Sequence, residues 1–269
     1  MSMTAAPAGK PATDAQALVI DAVHGPENRP TLVFIHGWCC RRDYWQAQVD
    51  ALRGDYPMWV ADLPGHGDSP ASGTHTIETL ADTLIQALRR DSRGISGPVV
   101  LIGHSMGGAV ALEAAARLGP QAAGVILVDS FVIDYGGLDA DTQGAIHAPF
   151  RADFSAAMAD LIDNTSTALT PVALKARLKR EMADADPARA LPLWAALLAW
   201  QPDALAQLDC PIHAINGSLI PDSARTRCAP WVSEIVVPGT GHFLQMEVPD
   251  QVNAHLRDLL ADIAAWPAR

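Results

Sequence analysis

The stretch Val99-Val100-Leu101-Ile102-Gly103-His104-Ser105-Met106-Gly107-Gly108 places a serine between glycines at the G-x-S-x-G spacing. An apolar run precedes it and an Ala-rich, helix-competent run follows, so Ser105 falls at the tip of a sharp strand-to-helix turn. Such a turn strains the backbone and lifts the hydroxyl above the sheet edge. Gly103 and Gly107 have to lack bulk, because strand and helix nearly touch there. Backbone N–H groups at the start of the helix point at any negative charge that develops beside Ser105. The chemistry this suits is nucleophilic catalysis by Ser105.

A serine held this way needs a sheet behind it. Apolar runs that read as strands fall at 17–23, 31–35, 58–61, 124–130, 211–215 and 234–237, besides the run before Ser105. Between them, helical spacing begins near Asp43 (Trp45, Val49, Leu52) and covers 77–90 (Leu80, Leu84, Leu88); a last helix spans 249–264. Strands alternating with helices of this size predict a mostly parallel sheet with helices on both faces. The alternation stops after Ser130. Residues 131–207 carry four helical segments, 141–147, 151–163, 171–182 and 187–200, with no clear strand among them. That is too long for a loop, and it reads as a helical cap inserted into a core made of 17–130 and 208–269. Residues 1–16, rich in Ala, Pro and Thr, read as a flexible tail and not as a targeting segment.

The formal charge of −11 argues against nucleic acid and anionic membrane as partners, because repulsion acts before any specific contact forms. It mildly favours a neutral substrate. A hydrophobic content of 49% with 18% charged residues describes a soluble globular chain, and no apolar run reaches membrane-spanning length. Four cysteines, with Cys39 and Cys40 adjacent, make no disulfide framework, so a reduced, cytoplasmic setting is expected. They also lack the C-x-x-C spacing of a zinc site, and no metal is expected.

Four stretches in a fixed order then resemble the α/β-hydrolase family: His36-Gly37-Trp38, Asp62-Leu63-Pro64-Gly65-His66-Gly67-Asp68-Ser69, Gly103 to Gly108, and Gly239-Thr240-Gly241-His242-Phe243 followed by Glu247 and Pro249. The likeness covers nearly the whole chain after the tail and implies the α/β-hydrolase fold with a helical cap. It implies Ser105 as nucleophile and His242 as general base and then general acid. An oxyanion hole is implied from the backbone N–H groups of Trp38 and Met106.

The triad acid departs from the family's pattern. The usual G-x-x-D after the seventh strand is missing: Gly217 is followed by Ser218, Leu219 and Ile220, and Asp222 comes only after Pro221. The other position known for the acid is the end of the sixth strand, where Asp129 follows Val125-Ile126-Leu127-Val128. Asp129 is the preferred assignment because it is mounted on a buried strand at the carboxyl edge of the sheet. Asp222 is the alternative, with helix capping as its plainer role. His36, His66 and Asp62 read as braces of their loops, Cys39 and Cys40 as buried thiols, and Trp194 and Trp200 as packing between cap and body.

Together these readings predict a cofactor-free serine hydrolase of small carboxylic esters or lactones. The same triad also suits carbon–carbon bond hydrolysis of a vinylogous diketone, peracid formation with haloperoxidase-like activity, or a small-molecule receptor on a hydrolase fold. Neither the particular substrate nor the oligomeric state is readable from the chain.

Overall fold

The computed structural model describes residues 18–71, 73, 75–90 and 97–266. The tail expected at 1–16 lies outside the described residues. Seven strands form one sheet: β1 (Ile20–Val23), β2 (Thr31–Ile35), β3 (Met58–Ala61), β4 (Val99–His104), β5 (Ala122–Val128), β6 (Ile212–Asn216) and β7 (Val232–Val236). They lie in the order β1-β3-β2-β4-β5-β6-β7. Every pairing is parallel except β1 with β3 at the edge.

Strand alternation splits the core in two, because successive side chains point to opposite faces. Val33, Ile35 and Leu101 face one layer with α2 (Ile77–Arg90) and α3 (Met106–Leu118). Leu32, Phe34, Val100, Ile102, Ile126 and Val128 face the other. That second layer holds α1 (Gln46–Leu52), which follows a 3-10 turn at Arg42–Trp45, and the final helix Pro249–Ala265. The central strands are therefore largely apolar, as strands covered on both faces have to be.

Between β5 and β6 lie four helices: α4 (Ala140–Ala152), α5 (Phe154–Asn164), α6 (Val172–Ala183) and α7 (Pro187–Ala199). Aspartates punctuate them. The side chains of Asp139, Asp153 and Asp186 accept from the N–H groups of Thr142, Ala156 and Ala188 at 2.8, 3.0 and 3.0 Å, which caps three of the four N-termini. Two expected boundaries shift for this reason. The helix expected at 141–147 continues past Pro149 to Ala152, and its successor starts at Phe154 because extended Asp153 (φ −150°) caps it. After β6 come α8 (Asp222–Cys228), β7, the short α9 (Leu244–Glu247) and α10 (Pro249–Ala265). Among the described residues, no helix is long and apolar enough to cross a membrane.

Candidate active site

β4 delivers Ser105 to the carboxyl edge of the sheet, where its backbone takes φ 53° and ψ −126°. Three non-glycine residues have positive φ among those described, and each lies just beyond a neighbouring strand: Cys39 (55°) after β2, Ser105 after β4, Asp129 (49°) after β5. Strain of about 1–3 kcal/mol per residue gathered in one place is a mark of functional sites. The glycines explain how the turn closes. A Cβ on Gly103 would sit 2.2 Å from the Gly107 carbonyl oxygen, and one on Gly107 would sit 2.3 Å from that of Ile35. The strand expected at 124–130 ends at Val128, and the freed Val128 carbonyl accepts the Ser105 N–H at 3.0 Å.

His242 stands on the loop between β7 and α9 and is 7% exposed. Its Nδ1–H donates to Asp129 Oδ2 at 2.7 Å. Asp129 Oδ1 accepts the Gly217 N–H at 2.6 Å, and the Asp129 N–H donates to Ile215 at 3.0 Å, so neighbouring strand β6 fixes the carboxylate. The His242 backbone is held at both ends: its N–H donates to Thr165 at 2.8 Å, and its carbonyl accepts His104 Nε2–H at 2.9 Å. Gly241 N–H donates to Glu247 at 2.9 Å, which closes the loop. Asp222 is elsewhere in role: it is exposed, in the first turn of α8, and has no bond to His242 among the described residues. The capping role expected for Asp222 is not what the structure shows. Pro221 occupies the cap position, and no side chain caps the helix.

The loop after β2 comes against the serine. A Cβ on Gly37 would lie 3.1 Å from Ser105 Cβ and 3.2 Å from His104 Nδ1. Met106 is the first residue of α3, where backbone N–H groups have no partner within the helix. The Trp38 side chain reaches the insertion. Its ring stacks on Trp194 at 4.5 Å and 17°, and its Nε1–H donates to Ala190 at 3.0 Å. Trp200, the other tryptophan expected to pack, donates to Glu113 of α3 at 3.1 Å. Ser105 and His242 open into a cavity of about 90 Å³. Its remaining wall includes Val132, Ile133, Tyr135, Leu161, Met182 and Trp194.

Three histidines near the site, His36, His66 and His104, are held neutral. His36 Nδ1–H donates to the Gly37 carbonyl at 2.8 Å and its Nε2 accepts the Leu63 N–H at 3.0 Å; burial lowers its pKa to about 4. Burial, with the nearby His36 ring, lowers His66 to about 3. His104 is held well below the ordinary range by burial and then by His242. Asp62 accepts from the Arg42 and Asp68 N–H groups at 2.7 and 2.9 Å and pairs with the Arg42 guanidinium, tying the 62–69 turn to the loop after β2. Burial pushes the Cys39 and Cys40 thiols up, away from reactivity. Sequence reading missed Gly217 and Thr165. Both act through the backbone, and nothing in a side chain announces them. His104 adjoins Ser105 in the chain, but its bond across to the His242 loop carries no local signal.

A mostly parallel sheet with a strained serine after its central strand, and an Asp–His pair at the neighbouring strand ends, is the α/β-hydrolase fold. The family model described as "Alpha/beta hydrolase family" matches residues 32–255, and the chain belongs to that family. The chain is similar to a pimeloyl-[acyl-carrier protein] methyl ester esterase of Neisseria meningitidis serogroup C / serotype 2a, 32% identical over 136 residues, 48% of this chain and 50% of that one. It is similar to Lipase LipV of Mycobacterium tuberculosis, 31% identical over 160 residues, 59% of this chain and 60% of the lipase. The matched part thus spans about half the length of the meningococcal relative. Among solved structures, a thermophilic esterase from Thermogutta terrifontis superposes with a TM-score of 0.77 at 26% identity, covering 91% of this chain and 93% of that one.

Proposed function

We propose that the protein is a serine hydrolase of short-chain carboxylic esters, with lactones alongside, acting through Ser105, His242 and Asp129. The observation that carries this reading is the 2.7 Å bond from His242 Nδ1 to Asp129, beside a serine at positive φ in the same cavity. With Nδ1 donating, Nε2 is the basic nitrogen, and it takes the Ser105 proton as the hydroxyl attacks the ester carbonyl. The N–H groups of Met106 and Trp38 receive the charge on the tetrahedral oxygen, each such donor contributing about 3 kcal/mol in comparable enzymes. His242 then protonates the leaving alcohol. Water, activated by the same nitrogen, releases the acyl group from Ser105. Asp129 keeps the ring in this tautomer and stabilises the imidazolium.

Family membership and relatives named as esterases and a lipase support ester cleavage. The insertion acts as a cap whose apolar wall screens bulk water and selects small to medium acyl or alcohol groups. Short-chain p-nitrophenyl esters should therefore be turned over faster than long-chain triglycerides, without activation at an oil–water interface. A fluorophosphonate probe should label Ser105 alone, and a folded Ser105→Ala protein should lose nearly all turnover. Full activity in that variant would overturn the reading. Labelling without turnover of any ester, lactone or diketone would reassign the protein as a small-molecule receptor.

A further inference from the structure

Ester cleavage needs the His242 ring held steady, and the core supplies only part of the hold. Along 239–242 the Gly239 N–H donates to Ser218 Oγ at 2.7 Å, the Gly241 N–H to Glu247 at 2.9 Å, and the His242 carbonyl accepts from His104 at 2.9 Å. Two further backbone groups of this loop are met by the insertion. The His242 N–H donates to the Thr165 carbonyl at 2.8 Å, and the Gly239 carbonyl accepts the Thr167 hydroxyl at 2.7 Å. Both partners lie on the segment 165–171 that joins α5 to α6. The fit is close. A Cβ on Gly241 would sit 2.6 Å from the Thr165 carbonyl oxygen, and one on Gly239, where φ is 82°, would sit 2.8 Å from Leu169 Cδ1.

The segment is itself built to present these groups. The hydroxyls of Thr165 and Ser166 turn back to α5, donating to the Leu161 and Ile162 carbonyls at 2.7 and 2.6 Å, and the Thr165 carbonyl beyond them meets His242. Thr167 Oγ1 accepts the Leu169 N–H at 3.2 Å while Thr170 Oγ1 accepts the Thr167 N–H at 2.9 Å, which fixes the Thr167 side chain as it donates to Gly239. Leu161 and Thr165 also line the cavity beside Ser105, so the wall that meets a substrate and the mount of the base are one piece. A catalytic group displaced by about 1 Å costs about 10²-fold in rate, so a bond that places this loop bears on turnover. Resting on the triad reading above, we infer that Thr167 is a positioning residue for His242: its hydroxyl ties the loop to the insertion, and the base is in register only while 165–170 is docked. Thr167 is not among the residues lining the cavity and acts through the Gly239 carbonyl.

Steady-state kinetics of three variants on one p-nitrophenyl ester tests this. Thr167→Val removes the donor and keeps the size, Thr167→Ser keeps the donor, and Asp139→Ala removes the N-cap of α4, loosening the insertion in a different helix. Thr167→Val should lower kcat about tenfold or more with KM within about twofold of wild type. Thr167→Ser and Asp139→Ala should keep kcat within about threefold. A Thr167→Val kcat near wild type, a loss confined to KM, an equal fall in Asp139→Ala, or failure of Thr167→Ser to retain activity would overturn the inference. Thr167→Ala, with no methyl to place against the carbonyl, carries the same expectation should the valine variant not fold. If the wild type turns over no ester and Ser105 is not labelled by the fluorophosphonate, the esterase reading has failed separately. Proton NMR of the His242 Nδ1–H, shifted downfield by its bond to Asp129 and assigned by its loss in His242→Gln, then decides. A signal lost or moved in Thr167→Val and retained in Thr167→Ser supports the positioning role, and identical behaviour of the two variants overturns it.

Discussion

Asp129 and Asp222, the two carboxylates that the sequence leaves in competition, differ in burial and in partners. Asp129 is fully buried, with one oxygen on His242 and the other on the Gly217 N–H; Asp222 stands exposed in the first turn of a short helix. Only the first is held rigidly enough to orient an imidazole. Asp129→Asn should lower kcat on a good ester by about 10⁴-fold, by analogy with the same change in a serine protease. Asp222→Asn should stay near wild type. Steady-state kinetics on one substrate makes the comparison, and the opposite ranking would move the acid to the seventh-strand position. Ser105 and His242 were legible because each sits in a short, glycine-flanked motif whose chemistry dictates its neighbours. The acid was less so, since its position relative to His242 depends on how β5 and β6 lie side by side.

Elements were legible where local chemistry marks their ends. The insertion's helices could be counted from the chain because Ala/Pro breakers separate them; that three aspartates cap them emerges only in the structure. What they cover could not be read. The contacts that seat them, Trp194 on Trp38 and Thr165 on the His242 N–H, join segments far apart in the chain without any shared pattern. Two glycines in helices give opposite expectations. At Gly107 a methyl would collide with the backbone of β2, so Gly107→Ala should destabilise by about 1–3 kcal/mol or more and remove activity. At Gly144 in α4 a methyl meets nothing within 4 Å, and Gly144→Ala should stabilise by about 1 kcal/mol through helix propensity. Urea midpoints at constant m-value check both.

At the scale of the whole molecule, neutral buried histidines make stability depend on pH. His36, lowered to about 4, and His104, held well below the ordinary range, stay unprotonated in the fold while the unfolded chain takes protons near pH 6.5. Above pH 6.5 neither state binds these protons and stability is unaffected. Below it the unfolded state binds more, so unfolding free energy falls as pH falls, by about 1.4 kcal/mol per pH unit for each histidine, down to about pH 4 for His36. Chemical denaturation at pH 7.5, 6 and 5 should show this decline, and a flat profile would contradict it. The central strands were legible because strands covered on both faces are largely apolar. The antiparallel setting of β1 was not, since an edge strand's direction leaves no mark in its composition.

The insertion also imposes an order in time. Asp129 directly follows β5, but its two side-chain hydrogen-bond partners, Gly217 and His242, come 88 and 113 residues later. A chain growing on a ribosome therefore carries Ser105 and Asp129 long before His242 has emerged, and on the proposed mechanism it stays inert until then. In refolding, contacts this distant form late, because the intervening loop must close first. Turnover should accordingly return after the helical circular dichroism signal, which makes recovered activity a reporter of the last step of folding, the docking of β6 and the His242 loop.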